Sequence, residues 1–81
     1  MKYVIKSFDI EGDKMNVGFD VYFEDLDHHL YHDERVPLVE GKTDEEYVSE
    51  AFASAKSIFD EVYAGLKRSG REWNPDTGTF V

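Results

Sequence analysis

The chain has no cysteine in 81 residues, which excludes a disulfide framework and any thiolate metal centre. That absence suits a reducing, cytoplasmic setting. No apolar run approaches the ~20 residues of a membrane-spanning helix. The opening MKYVIKSFDIEGD offers only Val4 and Ile5 as an uninterrupted aliphatic pair, so it reads as mature protein rather than a secretory leader. Positive charge is scarce: nine Lys and Arg face eighteen Asp and Glu, for a net charge of −9. Phosphate binding needs clustered cations, so direct nucleic-acid binding is not expected, and anionic lipid headgroups would repel the chain. Gly12, Gly18, Gly41, Gly65, Gly70 and Gly78 are scattered and form no phosphate-cradling loop. No cofactor is implied.

What the chain does have is a supply of large side chains: six Phe, five Tyr and one Trp. A domain of this size buries only roughly 60 to 65% of its accessible surface. Residues 1–81 are therefore expected to form a single domain around one two-layer core, which these aromatics suffice to fill. The acidic excess is concentrated. Residues 20–50 hold eleven acids against Arg35 and Lys42, while the other seven acids and seven bases cancel.

Met15, Val17, Phe19, Val21 and Phe23 alternate with Asn16, Gly18, Asp20, Tyr22 and Glu24 in strict period two, which predicts a strand over 15–24 with one core face and one wet face. Gly12 and Asp13 favour a tight reversal, pairing residues 2–10 with it as an antiparallel hairpin. The pattern in 2–10 is less clean: Val4, Phe8 and Ile10 fall on one face, Tyr3 and Ile5 on the other, as either a bulge or partial cover on both faces would produce. After a turn near Asp25 to Asp27, residues 28–36 are read as a third strand in meander order, stopped by Pro37. Thr43 and Glu46 form a capping box, and Asp44, Glu45 and Glu46 complement the helix dipole. A stripe of Val48, Phe52, Ala55, Phe59, Val62 and Leu66 follows, then Lys67, Arg68 and Gly70 as stop signals. The expected fold is thus α+β: a three-stranded antiparallel meander on one long helix over about 44–68, with a turn-containing tail over 71–81. Trp73 and Phe80, flanking the turn residues Asn74 to Gly78, are expected to fold back and cap the core.

The segment DLDHHLYHDE, residues 25–34, gathers three histidines among four carboxylates. On a helix, His28 and His32 would stand one turn apart at a zinc-ligand spacing. On a strand they lie about 13 Å apart, too far to share one ion, with His29 on the opposite face. The strand reading is the one adopted, so no metal is expected, and pH sensing is a lesser alternative for these imidazoles. Ser49, Ser54 and Ser57 fall on the helix, and no pair of carboxylates is set in contrasting environments around a pocket, so an enzyme is not expected.

In size, charge and lack of cysteine the chain resembles the small acidic inhibitors that phages make against host nucleases, repair enzymes or CRISPR effectors. That resemblance rests on size and charge and carries over no residues. It implies a non-enzymatic module occupying a basic, nucleic-acid-binding site on a target protein. Alternate strand residues place carboxylates about 6.6 Å apart, a spacing comparable to that of successive phosphates. The expected partner-binding residues are Asp20, Tyr22, Glu24, Asp25, Asp27, Tyr31, Asp33 and Glu34, on the assumption that the mid-chain acids share one accessible side. The alternative is an assembly subunit binding through the helix, the open sheet face or the aromatic tail. One helix covers only one face of a sheet, which leaves the other for a partner or a second copy.

Overall fold

The period-two run of apolar residues needs neighbours on both edges to satisfy its backbone, and it has them. In the computed structural model, which describes residues 1–81, β2 (Lys14–Phe23) lies between β1 (Lys2–Glu11) and β3 (His28–Pro37) in an antiparallel sheet of order β1-β2-β3. The β1–β2 reversal uses Gly12 at φ 61, in the region only glycine enters freely. The β2–β3 connection is a short 3-10 turn over Glu24–Leu26 that exits through Asp27 at φ 49.

The irregular pattern of β1 has a single cause. Ile5 pairs with Phe19 and Ser7 with Gly18, so Lys6 is an extra residue. This bulge shifts the phase of the strand by one position. Tyr3 and Ile5 before it and Phe8 and Ile10 after it therefore pair with Val21, Phe19, Val17 and Met15, all on the face toward the helix.

That face is covered by α1 (Asp44–Arg68), which packs mainly against β2 and β3. The capping box forms as the sequence specifies: the Glu46 amide donates to Thr43 Oγ1 (3.2 Å), and the Thr43 amide donates back to Glu46 Oε1 (3.4 Å). Val17, Phe19, Val21, Phe23, Ala51, Ala55 and Phe59 are fully buried between the layers. Each large apolar side chain there contributes roughly 1.5 to 3 kcal/mol. Tyr47, outside the expected stripe, is also buried, and its hydroxyl donates to the Val39 carbonyl (2.7 Å), fixing the loop into the helix.

The tail departs from expectation. Trp73 and Phe80 do not cap the core. They face each other across a small hairpin of β4 (Trp73–Asn74) and β5 (Thr79–Phe80), and each is more than half exposed. The sheet ends too soon for them to reach it: Tyr63 already stacks on Phe23, the last residue of β2, so the helix end and hairpin project beyond. The radius of gyration is accordingly 17.2 Å, with extents of 62 × 18 × 16 Å, where a rounded chain of this length would have about 12 Å. No helix is long and apolar enough to cross a membrane.

Candidate functional site: the open sheet face and the cleft at its end

Side chains of β2 that point away from the helix are Asn16, Gly18, Asp20 and Tyr22. This face is not wet at its centre, contrary to the alternation. Asn16 is only 4% and Asp20 only 8% exposed. The cover comes from the flanking strands, whose side chains lean inward. Ser7 Oγ donates to Tyr31 OH (3.0 Å), Tyr31 OH donates to Asp33 Oδ1 (3.0 Å), and Asn16 Nδ2 donates to the same oxygen (3.1 Å). The bonds meet above Gly18, where an added Cβ would overlap the Ser7 and Tyr31 hydroxyl oxygens. Asn16 and Tyr31 hold the Asp33 carboxyl below the usual carboxylate range, Asn16 having the larger effect. Asn16 Oδ1 has no hydrogen-bond partner.

Farther along, Lys2, Tyr22 and His29 are cross-strand neighbours in one row. Tyr22 stacks on His29 with centroids 5.6 Å apart and planes at 16°, and Lys2 Nζ stands 5.9 Å from the Tyr22 ring. Both rings turn their polar atoms to Asp20: Tyr22 OH donates to Oδ2 (3.2 Å) and His29 Nδ1 to Oδ1 (3.1 Å). An ionised carboxylate only accepts, so Nδ1 carries the hydrogen there.

Tyr22 and His29 form one wall of a cleft of about 370 Å³ lined by Tyr22, Phe23, Glu24, Asp27, His28 and His29, and Lys2 stands outside it. Phe23 is fully buried at its base, and Glu24 and Asp27 are exposed on the turn. None of the chain's ion pairs engages Glu24 or Asp27. Asp25, between them, is differently placed: Tyr63 OH donates to its Oδ2 (2.5 Å), lowering the Asp25 pKa and raising that of Tyr63.

The expected partner-binding residues therefore separate into three groups. Asp20, Tyr22, Tyr31 and Asp33 meet on the open face; Glu24, Asp25 and Asp27 stand at the β2–β3 turn; Glu34 points to the helix side, where His32 Nε2 donates to it (2.9 Å). Because β2 ends at Phe23, Glu24 does not continue a row of carboxylates with Asp20. The wider acidic segment divides too. Asp44, Glu45 and Glu46 open the helix at the Pro37 end of the sheet, a strand length of about 30 Å from the β2–β3 turn. Charge that is contiguous in sequence forms two poles in space, because β3 carries the chain from one end of the sheet to the other.

Residues 28–32 are extended, so His28 and His32 face the helix side and His29 the open face. No group of three or more His, Asp or Glu side chains is placed to hold a metal ion. Sequence reasoning passed over Ser7, Asn16 and Gly18. A glycine inside a strand was the available signal, since it marks a close approach of other groups.

Comparison with family models, with curated proteins and with solved structures finds no match for this chain.

Proposed function

We propose that the protein is a small non-enzymatic binding module that receives a Lys or Arg side chain of another protein in the cleft at the β2–β3 turn. The observation that carries this reading is the lining. Two carboxylates with no cation from their own chain, Glu24 and Asp27, stand beside a stacked Tyr22–His29 wall over an apolar base. A guanidinium matches that combination, because its flat face stacks on aromatics while its forked donors reach carboxylates. The net charge of −9 speeds encounter with a basic surface, and the aromatic wall slows release. A nucleic-acid-binding site on a target protein is a surface of this kind, and occupying it would make the module an inhibitor.

Titrating the ¹⁵N-labelled chain with an arginine-rich peptide tests the reading. Amide shifts are expected at Glu24 and at Asp27 to His29. They should weaken with added salt and vanish in Glu24→Gln/Asp27→Asn. Shifts elsewhere, or shifts that survive the double substitution, would refute it.

A second reading rests on the projecting hairpin, whose Trp73 and Phe80 form an exposed aromatic pair at one tip of a 62 Å molecule. If the protein is instead an assembly subunit anchored there, Trp73→Ala abolishes partner binding, Glu24→Gln/Asp27→Asn does not, and salt has little effect.

A further inference from the structure

We infer that β1 is a self-association edge: two copies of this chain pair through it, antiparallel, to form one continuous six-stranded sheet. The sheet has two edges, and they are not alike. β3 lies beneath the helix and ends in Pro37, two features that protect an edge. β1 presents ten residues without a proline and has little helix above it. Its apolar side chains on the helix side stay open, with Tyr3 39%, Ile5 38% and Ile10 64% exposed. Tyr3 and Ile5, together with Phe19, Val48 and Phe52, line a groove of about 320 Å³ between this strand and the helix.

The occupant follows from the strand's own charge pattern. Read from Lys2 to Glu11, KYVIKSFDIE places its cations, Lys2 and Lys6, in the first half and its anions, Asp9 and Glu11, in the second. An antiparallel copy sets the cationic half against the anionic half. The register is fixed by the bulge. In a regular strand, residues of the same parity share a face, so a two-fold axis through the sheet pairs odd with odd and even with even. The extra residue at Lys6 reverses parity halfway, so that Tyr3, Ile5, Phe8 and Ile10 all point to one face. Face-matched pairing must then join odd with even. The register that engages all ten residues sets Lys2 opposite Glu11, Tyr3 opposite Ile10, Val4 opposite Asp9 and Ile5 opposite Phe8, with the bulges of the two copies meeting at the axis.

Each pair is chemically matched except Val4 with Asp9. The apolar pairs extend the ledge beside each helix, and the charged pair closes both ends on the open face. Glu11 is prepared for this: Arg35 Nε donates to its Oε2 (2.6 Å), leaving the other oxygen for the second copy's Lys2. This surface lies along the first strand and is independent of the cleft at the β2–β3 turn.

Sedimentation equilibrium on the full chain at sub-millimolar concentration should give twice the 9.4 kDa mass. Lys2→Glu alone and Glu11→Lys alone should each weaken association by about tenfold. Mixing the two variants should restore it, because both charged contacts are then complementary in the heterodimer. Since the chain has no cysteine, register is read directly by oxidation. Tyr3→Cys/Ile10→Cys should form a covalent dimer, and the out-of-register control Ile5→Cys/Ile10→Cys should not. Circular dichroism confirms that each variant is folded. A monomeric mass at all concentrations, no rescue on mixing, or equal cross-linking of the two cysteine pairs would overturn the proposal.

Discussion

On one side of β2, Val17, Phe19, Val21 and Phe23 are shielded by a separate element, the helix. On the other side Asn16, Gly18 and Asp20 are shielded by side chains of the sheet itself, which lean over from β1 and β3. Both sides of the strand are withdrawn from water, yet by unlike means. The helix side depends on volume: any apolar group of the right size gains the same non-directional stabilisation. The open side depends on direction, since Ser7, Tyr31, Asp33 and Asn16 form a relay in which each hydrogen has one destination. A three-stranded sheet with a single helix can thus close its uncovered face if the central strand keeps a glycine low enough for flanking polar groups to meet above it.

The comparison can be broken first on the helix side. Phe59 is fully buried and meets Phe19 at 5.5 Å, Phe52 at 6.2 Å and His32 at 5.6 Å between ring centroids. Phe59→Ala should cost about 3 to 5 kcal/mol through lost transfer energy and a residual cavity, measured by urea unfolding. A cost under about 1 kcal/mol would mean that the layer collapses freely and that packing there is not specific.

The matching change on the open side is smaller and of opposite kind. Gly18→Ala adds a methyl where the Ser7 and Tyr31 hydroxyls already sit, so the relay must open, at about 1 to 3 kcal/mol. The same substitution in a Ser7→Ala/Tyr31→Phe background removes the two overlapping oxygens and should recover more than half of that cost. Coupling of this size in a double-mutant cycle assigns the effect to the relay. Simple additivity would assign it to backbone strain at Gly18 instead.

The sequence displayed the helix side far better than the open side. Period-two alternation in β2 and the Thr43–Glu46 box report periodicity and local chemistry, which are properties of neighbours along the chain. The relay joins Ser7 to Tyr31 across the full sheet width, and no local pattern encodes a contact between residues on different strands. The bulge at Lys6 was visible only as a broken alternation, and the register of β1 on β2 was needed to place it. Charge misled for a related reason: a segment is one object along the chain, but Glu24 and Glu46 stand at opposite ends of the sheet because a strand runs between them. The tail aromatics failed on length alone, since the helix outruns the strands it covers.

The smallest expected effect sharpens the comparison through two aspartates. Asp33 on the open side is held down chiefly by Asn16, and Asp25 at the turn chiefly by the Tyr63 hydroxyl from the helix. A carboxyl whose folded pKa is depressed contributes stability above its unfolded pKa and loses it as pH falls through the folded value. Tyr63→Phe keeps the ring stacked on Phe23, 5.6 Å away, and removes only the bond to Asp25. The variant should therefore be less stable than wild type at neutral pH, and the gap should close as the pH falls and Asp25 becomes protonated. Urea unfolding at neutral and strongly acidic pH measures that gap, and an NMR titration should show the Asp25 carboxyl returning upward toward its ordinary value. Asp33 should titrate unchanged in the same variant, because its donors belong to the sheet. If Asp33 moves as well, the two sides of the sheet are energetically coupled through β2 and the distinction between them fails.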